Sequence, residues 1–92
     1  MNYKLAKQLK DAGFPKKYCK NFYATNNKGE EVLIPSLSEL IEACGDRFFW
    51  LTKVIIKEGI FWQVGALNGN LGGIEKTPEE AVAKFWLKLT KE

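Results

Sequence analysis

Histidine is missing from all 92 residues. With it go the commonest general base at neutral pH, every His-containing triad and most zinc geometries. Cysteine is scarce. Cys19 and Cys44 lack the paired spacing of a zinc site and are too few for a disulfide-stapled secreted scaffold, so both are expected as thiols. Arginine is scarcer still: all but one of the fourteen basic residues are Lys, a point charge rather than a bidentate fork. Long hydrophobic runs are absent as well, because Lys, Glu and Gly interrupt each apolar stretch before it reaches membrane-spanning length. Met1 to Gln8 alternate polar and apolar side chains without the apolar run of a signal peptide, so a cytoplasmic location and no membrane contact are expected.

The remaining routes to catalysis are thin. Glu30 with Glu31 and Glu79 with Glu80 are adjacent pairs whose carboxylates need not converge on one substrate. Cys44 falls on the apolar side of a short helical repeat, where a thiol packs as a small hydrophobe and is not activated. The expectation is no enzyme, no catalytic residue, no metal and no cofactor.

What is present is core-forming material. Hydrophobic residues make up 46% of the chain and aromatics 13%, including Trp50, Trp62 and Trp86, enough for residues 1–92 to fold as a single globular domain. Leu5, Leu9 and Ala12 recur at helical spacing over residues 2–12 and Gly13 supplies a stop. Phe22–Thr25 and Glu31–Ile34 read as short strands joined through Asn26-Asn27-Lys28-Gly29-Glu30, whose Asn and Gly residues tolerate a tight turn. Ser36 with Glu39 forms the pattern of a capping box, and Leu37, Leu40, Ile41 and Cys44 follow on one helical stripe ended by Gly45. Phe48–Lys57 and Ile60–Leu67 are β-prone runs separated by Glu58-Gly59. Asn68–Gly73 reads as a tight turn with a short strand over Leu71–Glu75. Thr77-Pro78-Glu79-Glu80 then combines an N-cap, a first-turn proline and a second capping box, opening a helix to about Thr90 with Lys84, Lys88 and Lys91 toward its C-terminus. The fold class is α+β in the order α-β-β-α-β-β-α: one mixed, mainly antiparallel sheet with helices packed on it, Trp62 or Val64 facing the last helix.

Three features invite a functional reading. Residues 1–20 carry six lysines against Asp11, while the rest of the chain holds eight basic and ten acidic groups, so the net +3 is concentrated at the N-terminus. Lys4, Lys7, Lys10, Lys16, Lys17 and Lys20, with Tyr18 and Phe22 among them, are the candidate polyanion-binding set. The glycines of Gly69-Asn70-Leu71-Gly72-Gly73 resemble a phosphate loop only superficially, since Lys76-Thr77 lacks the preceding glycine and Glu75 would repel phosphate. Aromatic and apolar excess is the third feature. Phe48, Phe49 and Trp50 are consecutive and cannot share one face of a strand. The last helix likewise spreads Val82, Phe85 and Leu89 over one side and Leu87 over another. Phe49, Trp86 and Leu87 are therefore candidate protein-contact residues, with a homodimer through Trp86 and Leu87 set against burial inside the chain.

Three segments, Lys7-Gln8-Leu9-Lys10-Asp11-Ala12-Gly13-Phe14-Pro15, Leu37-Ser38-Glu39-Leu40-Ile41-Glu42-Ala43-Cys44-Gly45 and Thr77-Pro78-Glu79-Glu80-Ala81-Val82-Ala83-Lys84-Phe85-Trp86-Leu87, resemble a family of small uncharacterised phage and prophage proteins. The resemblance covers most of the chain and implies a mobile-element origin without any activity to carry over. The expected function is that of a non-enzymatic accessory protein that binds a host or phage protein, with inhibition of host defence as one form. The alternative is a nucleic-acid-binding accessory factor that uses the N-terminal lysines.

Overall fold

The computed structural model describes residues 1–19, 22–66, 69 and 71–90. Helix α1 (Tyr3–Asp11) starts where the Asn2 side chain accepts the Leu5 amide at 2.8 Å, and it buries Leu5, Ala6 and Leu9 along one stripe. Its end is a Schellman turn: the Phe14 amide donates to the Leu9 carbonyl at 2.9 Å and the Gly13 amide to Lys10, with Gly13 at φ 87°. That left-handed residue sends Phe14 back into the core beside Leu9. A 3-10 turn over Lys16–Tyr18 follows.

Strands β1 (Phe22–Thr25) and β2 (Glu31–Ile34) pair antiparallel, from Phe22 opposite Ile34 to Thr25 opposite Glu31. The Asn26 carboxamide holds their loop, accepting the Lys28 and Glu30 amides and donating to the Glu30 carboxylate, each at 2.9 Å. Ala24 and Val32 face α1 and form a small second core with Ala6. Helix α2 (Leu37–Cys44) carries the full reciprocal capping box between Ser36 and Glu39, as its sequence predicts. At the other helix start, Thr77 Oγ1 accepts the Glu80 amide at 3.1 Å, opening α3 (Pro78–Thr90).

Strands β3 (Trp50–Ile56) and β4 (Gly59–Gly65) form the second hairpin, in unbroken register from Trp50 opposite Gly65 to Ile56 opposite Gly59. Gly59 has φ 135°, a conformation open to glycine at the exit of so short a loop. The expected strand over Leu71–Glu75 is present as two bridges, Leu71 to Gly65 and Glu75 to Trp62, laid along the outer edge of β4.

The main core lies where α1, α2, α3 and the base of β4 meet. Leu9, Leu40, Val64 and Val82 are fully enclosed there, and Trp62, on the same face of β4 as Val64, packs against the same cluster, to which α3 contributes. The element order agrees with the sequence reading, but the four strands do not join into one mixed sheet. They form two separate two-stranded antiparallel sheets. Each hairpin spends its apolar face on a different helix, β1–β2 on α1 and β3–β4 on α3, so no strand edge of one lies beside the other.

Candidate interaction surface

Alternation along β3 and β4 sorts the second hairpin into two faces. Leu51, Lys53 and Ile55 lie opposite Val64, Trp62 and Ile60 on one face; Trp50, Thr52, Val54 and Ile56 lie opposite Gly65, Gln63, Phe61 and Gly59 on the other. Exposure on the first face rises steadily with distance from the core. Val64 is at 0%, Leu51 and Trp62 are half-buried, and Ile60 and Ile55 reach 53% and 73%. Ile56 on the reverse face and Phe49 just before β3 are exposed too. The hairpin is thus an arm whose base is core and whose tip exposes Ile55, Ile56 and Ile60 beside the charged Lys57-Glu58 turn.

The base of the arm is held firmly. Gly65 lets the Trp50 indole lie directly over its backbone, where a Cβ would collide with the ring. Lys53 places its ammonium 6.0 Å from the centre of the Trp62 ring, covering part of the first face with its alkyl stem. On the outer edge of β4, Trp62 exchanges backbone hydrogen bonds with Glu75 at 2.7 and 2.9 Å, and the Gln63 carboxamide donates to Gly72. Helix α3 clamps the same segment through Lys84, 2.8 Å from the Glu75 carboxylate, and Lys88, which donates to the Leu71 carbonyl. The Glu75 hydrogen bond raises the Lys84 pKa above the ordinary lysine value. The outer edge of β3 has no such cover: among the described residues no strand lies beside it.

The N-terminal lysines occupy a different part of the molecule. Lys4, Lys7 and Lys10 are exposed on α1, and Lys16 and Lys17 on the 3-10 turn, with Lys17 Nζ 5.1 Å from the Tyr18 ring centre. Lys20 and Lys91 lie outside the described residues. Lys10 and Lys16 also border a cavity of about 230 Å³ between α1 and β1–β2, floored by Ala6, Leu9, Phe14 and Val32. Cys19 lines this cavity, its thiol pKa raised by burial and by the Glu39 carboxylate. Cys44 is buried in the main core and its pKa is pushed up to about 11, the behaviour of a packed thiol and not of a nucleophile. Among the described residues, no group of three or more Cys, Asp or Glu side chains is placed to hold a metal.

Of the three protein-contact candidates, only Phe49 is exposed. Trp86 is buried, its ring set edge-on against Phe14 with centroids 4.9 Å apart, and Leu87 is half-buried against the same core. The second side of α3 is covered by α2 and α1, so the choice between a partner and burial within the chain falls to burial for Trp86. Sequence reasoning does not single out Ile55, Ile56 and Ile60. Their signal is Val54-Ile55-Ile56, three consecutive apolar residues that put hydrophobic side chains on both faces of a strand. No protein-family model, no curated protein and no solved structure matches the chain.

Proposed function

We propose that this chain is a phage or prophage accessory protein that acts by binding another protein, without a chemical step, through the tip of the β3–β4 arm. The observation that carries the reading is the exposure of Ile55, Ile56 and Ile60 together at one end of the molecule. Single exposed apolar residues are ordinary, but a clustered apolar tip on a hairpin anchored by Trp50 and Trp62 is the arrangement that protein interfaces use. The origin of the partner, host or phage, rests on the family resemblance of the helical segments.

Capture of partners on the immobilised chain, with and without nuclease, tests the proposal when wild type is compared with Ile55→Glu/Ile60→Glu and with Lys16→Glu/Lys17→Glu. A bound protein that resists nuclease, disappears with the isoleucine variant and persists with the lysine variant is the expected result. A nuclease-sensitive signal lost only with the lysine variant would instead establish the nucleic-acid-binding alternative.

A further inference from the structure

We propose that the cavity between α1 and the β1–β2 hairpin binds a small monoanionic amphiphile: a short acyl chain or single ring bearing one carboxylate. The site is separate from the arm and independent of its protein-binding reading. It originates in the packing. Helix α1 serves two apolar clusters, Leu9 joining the main core with Phe14, and Ala6 joining the second core with Ala24 and Val32. No buried residue belongs to both clusters, and the cavity opens where they meet, with Leu9 and Phe14 of one and Ala6 and Val32 of the other on its walls. Protein interiors are otherwise filled to the density of organic crystals, and Ala6 has no atom beyond Cβ with which to close the gap.

Size limits the ligand. An apolar cavity of ~150 Å³ accepts benzene, and pockets for drug-sized ligands begin at roughly 300 Å³. At about 230 Å³ this cavity admits one ring or a short chain together with a head group. The apolar body would lie on Leu9, Phe14 and Val32, which are buried and hold no polar side-chain atom.

Charge at the rim selects the head group. Lys10, in the last turn of α1, and Lys16, opening the 3-10 turn, both border the cavity, and Glu31 on β2 is the one carboxylate among its described lining residues. Glu31 forms an ion pair with neither lysine, so both ammonium groups are left for an anion. Two cations against one carboxylate give the mouth a net +1, which attracts a monoanion and repels an amine. Glu31 opposes a second negative charge, and the apolar walls offer no further donor to a phosphate. Cys19 on the same wall supplies a chemical reporter of occupancy.

Calorimetric titration of the purified full chain with octanoate, octanamide and octylamine tests the assignment. Octanoate should bind one site with a Kd on the order of 0.1–1 mM, and the neutral and cationic analogues at least about tenfold more weakly. Lys10→Gln/Lys16→Gln, at two exposed positions, should weaken octanoate binding at least about tenfold with an unchanged circular dichroism spectrum. Octanoate at ten times its Kd should slow alkylation of Cys19 by iodoacetamide roughly tenfold, read by the mass of the Cys19 peptide. Ile55→Glu/Ile60→Glu should change none of this. Absence of saturable octanoate binding, equal binding of octylamine, an affinity indifferent to the lysine variant, or undiminished alkylation of Cys19 would each overturn the proposal. Binding lost with the isoleucine variant while Cys19 stays unprotected would overturn it too, by placing octanoate on the arm tip.

Discussion

Gly65 and Trp50 illustrate how a single missing Cβ fixes the arm. The indole fills the space above the Gly65 backbone, and Gly65 itself has no need of a left-handed conformation, so the glycine is there for room. Gly65→Ala should therefore destabilise the fold by about 1–3 kcal/mol, the usual penalty of overpacking. In a Trp50→Val background the same change should cost far less. Thermal unfolding of the two single variants and the double variant measures that coupling; equal costs in both backgrounds would show that the ring is not what the methyl meets. Cys44 supplies a pH-dependent counterpart. Its pKa is raised from 9.0 to about 11 by burial, so the folded state holds the thiol proton after the unfolded chain has released it. Stability from this group is complete below pH 9 and is lost as pH rises from about 9 to about 11, a loss on the order of 2–3 kcal/mol by linkage. Urea unfolding across that range should show the decline, and Cys44→Ala should flatten it beyond the contribution of the lysines.

Among the elements, α1 depends on its terminating turn as much as on its apolar stripe. Gly13 at φ 87° directs Phe14 onto Leu9 and Trp86, so one left-handed residue joins the first helix to the last. Gly13→Ala forces a side chain into that conformation and should cost about 1–2 kcal/mol, read as a lowered unfolding temperature; an unchanged temperature would mean that the turn relaxes freely. Local chemistry of this kind is also what makes parts of the fold legible in the sequence. The bounds of β1, β2 and α2 and the start of α3 coincide with their turn and capping residues, because Asn26, Gly29, Ser36, Glu39 and Thr77 act within four residues of themselves. The second hairpin is legible as paired strands but not as an arm. Periodicity tells which side chains share a face and not how far each stands from a helix, so Val64 and Ile60 look alike in sequence and end fully buried and exposed. For the same reason helical spacing offers Trp86 to a partner, since no local signal announces that Phe14, far away in the chain, packs against it. Nor does any local signal say that each strand pair keeps its own helix, which is what divides the expected single sheet in two.

Across the molecule, the positive charge and the apolar tip are separate surfaces with separate consequences. Lys4, Lys7, Lys10, Lys16 and Lys17 are spread over α1 and the turn after it as point charges without a bidentate Arg among them. Binding of these residues to DNA or RNA should be weak and indifferent to sequence, and Lys16→Glu/Lys17→Glu should lower the slope of log affinity against log salt by roughly 1–2. Sequence-selective binding that survives high salt would reverse the ranking of the two surfaces. If the arm is the contact surface and its partner is a protein, a photo-crosslinking amino acid in place of Ile55 must capture that partner in irradiated cells expressing the chain, and one in place of Lys10 serves as the control. Adducts to another protein are expected from position 55, unaffected by nuclease and far more abundant than from position 10; adducts mainly to nucleic acid from position 10, with none to another protein from position 55, would contradict the assignment of the arm.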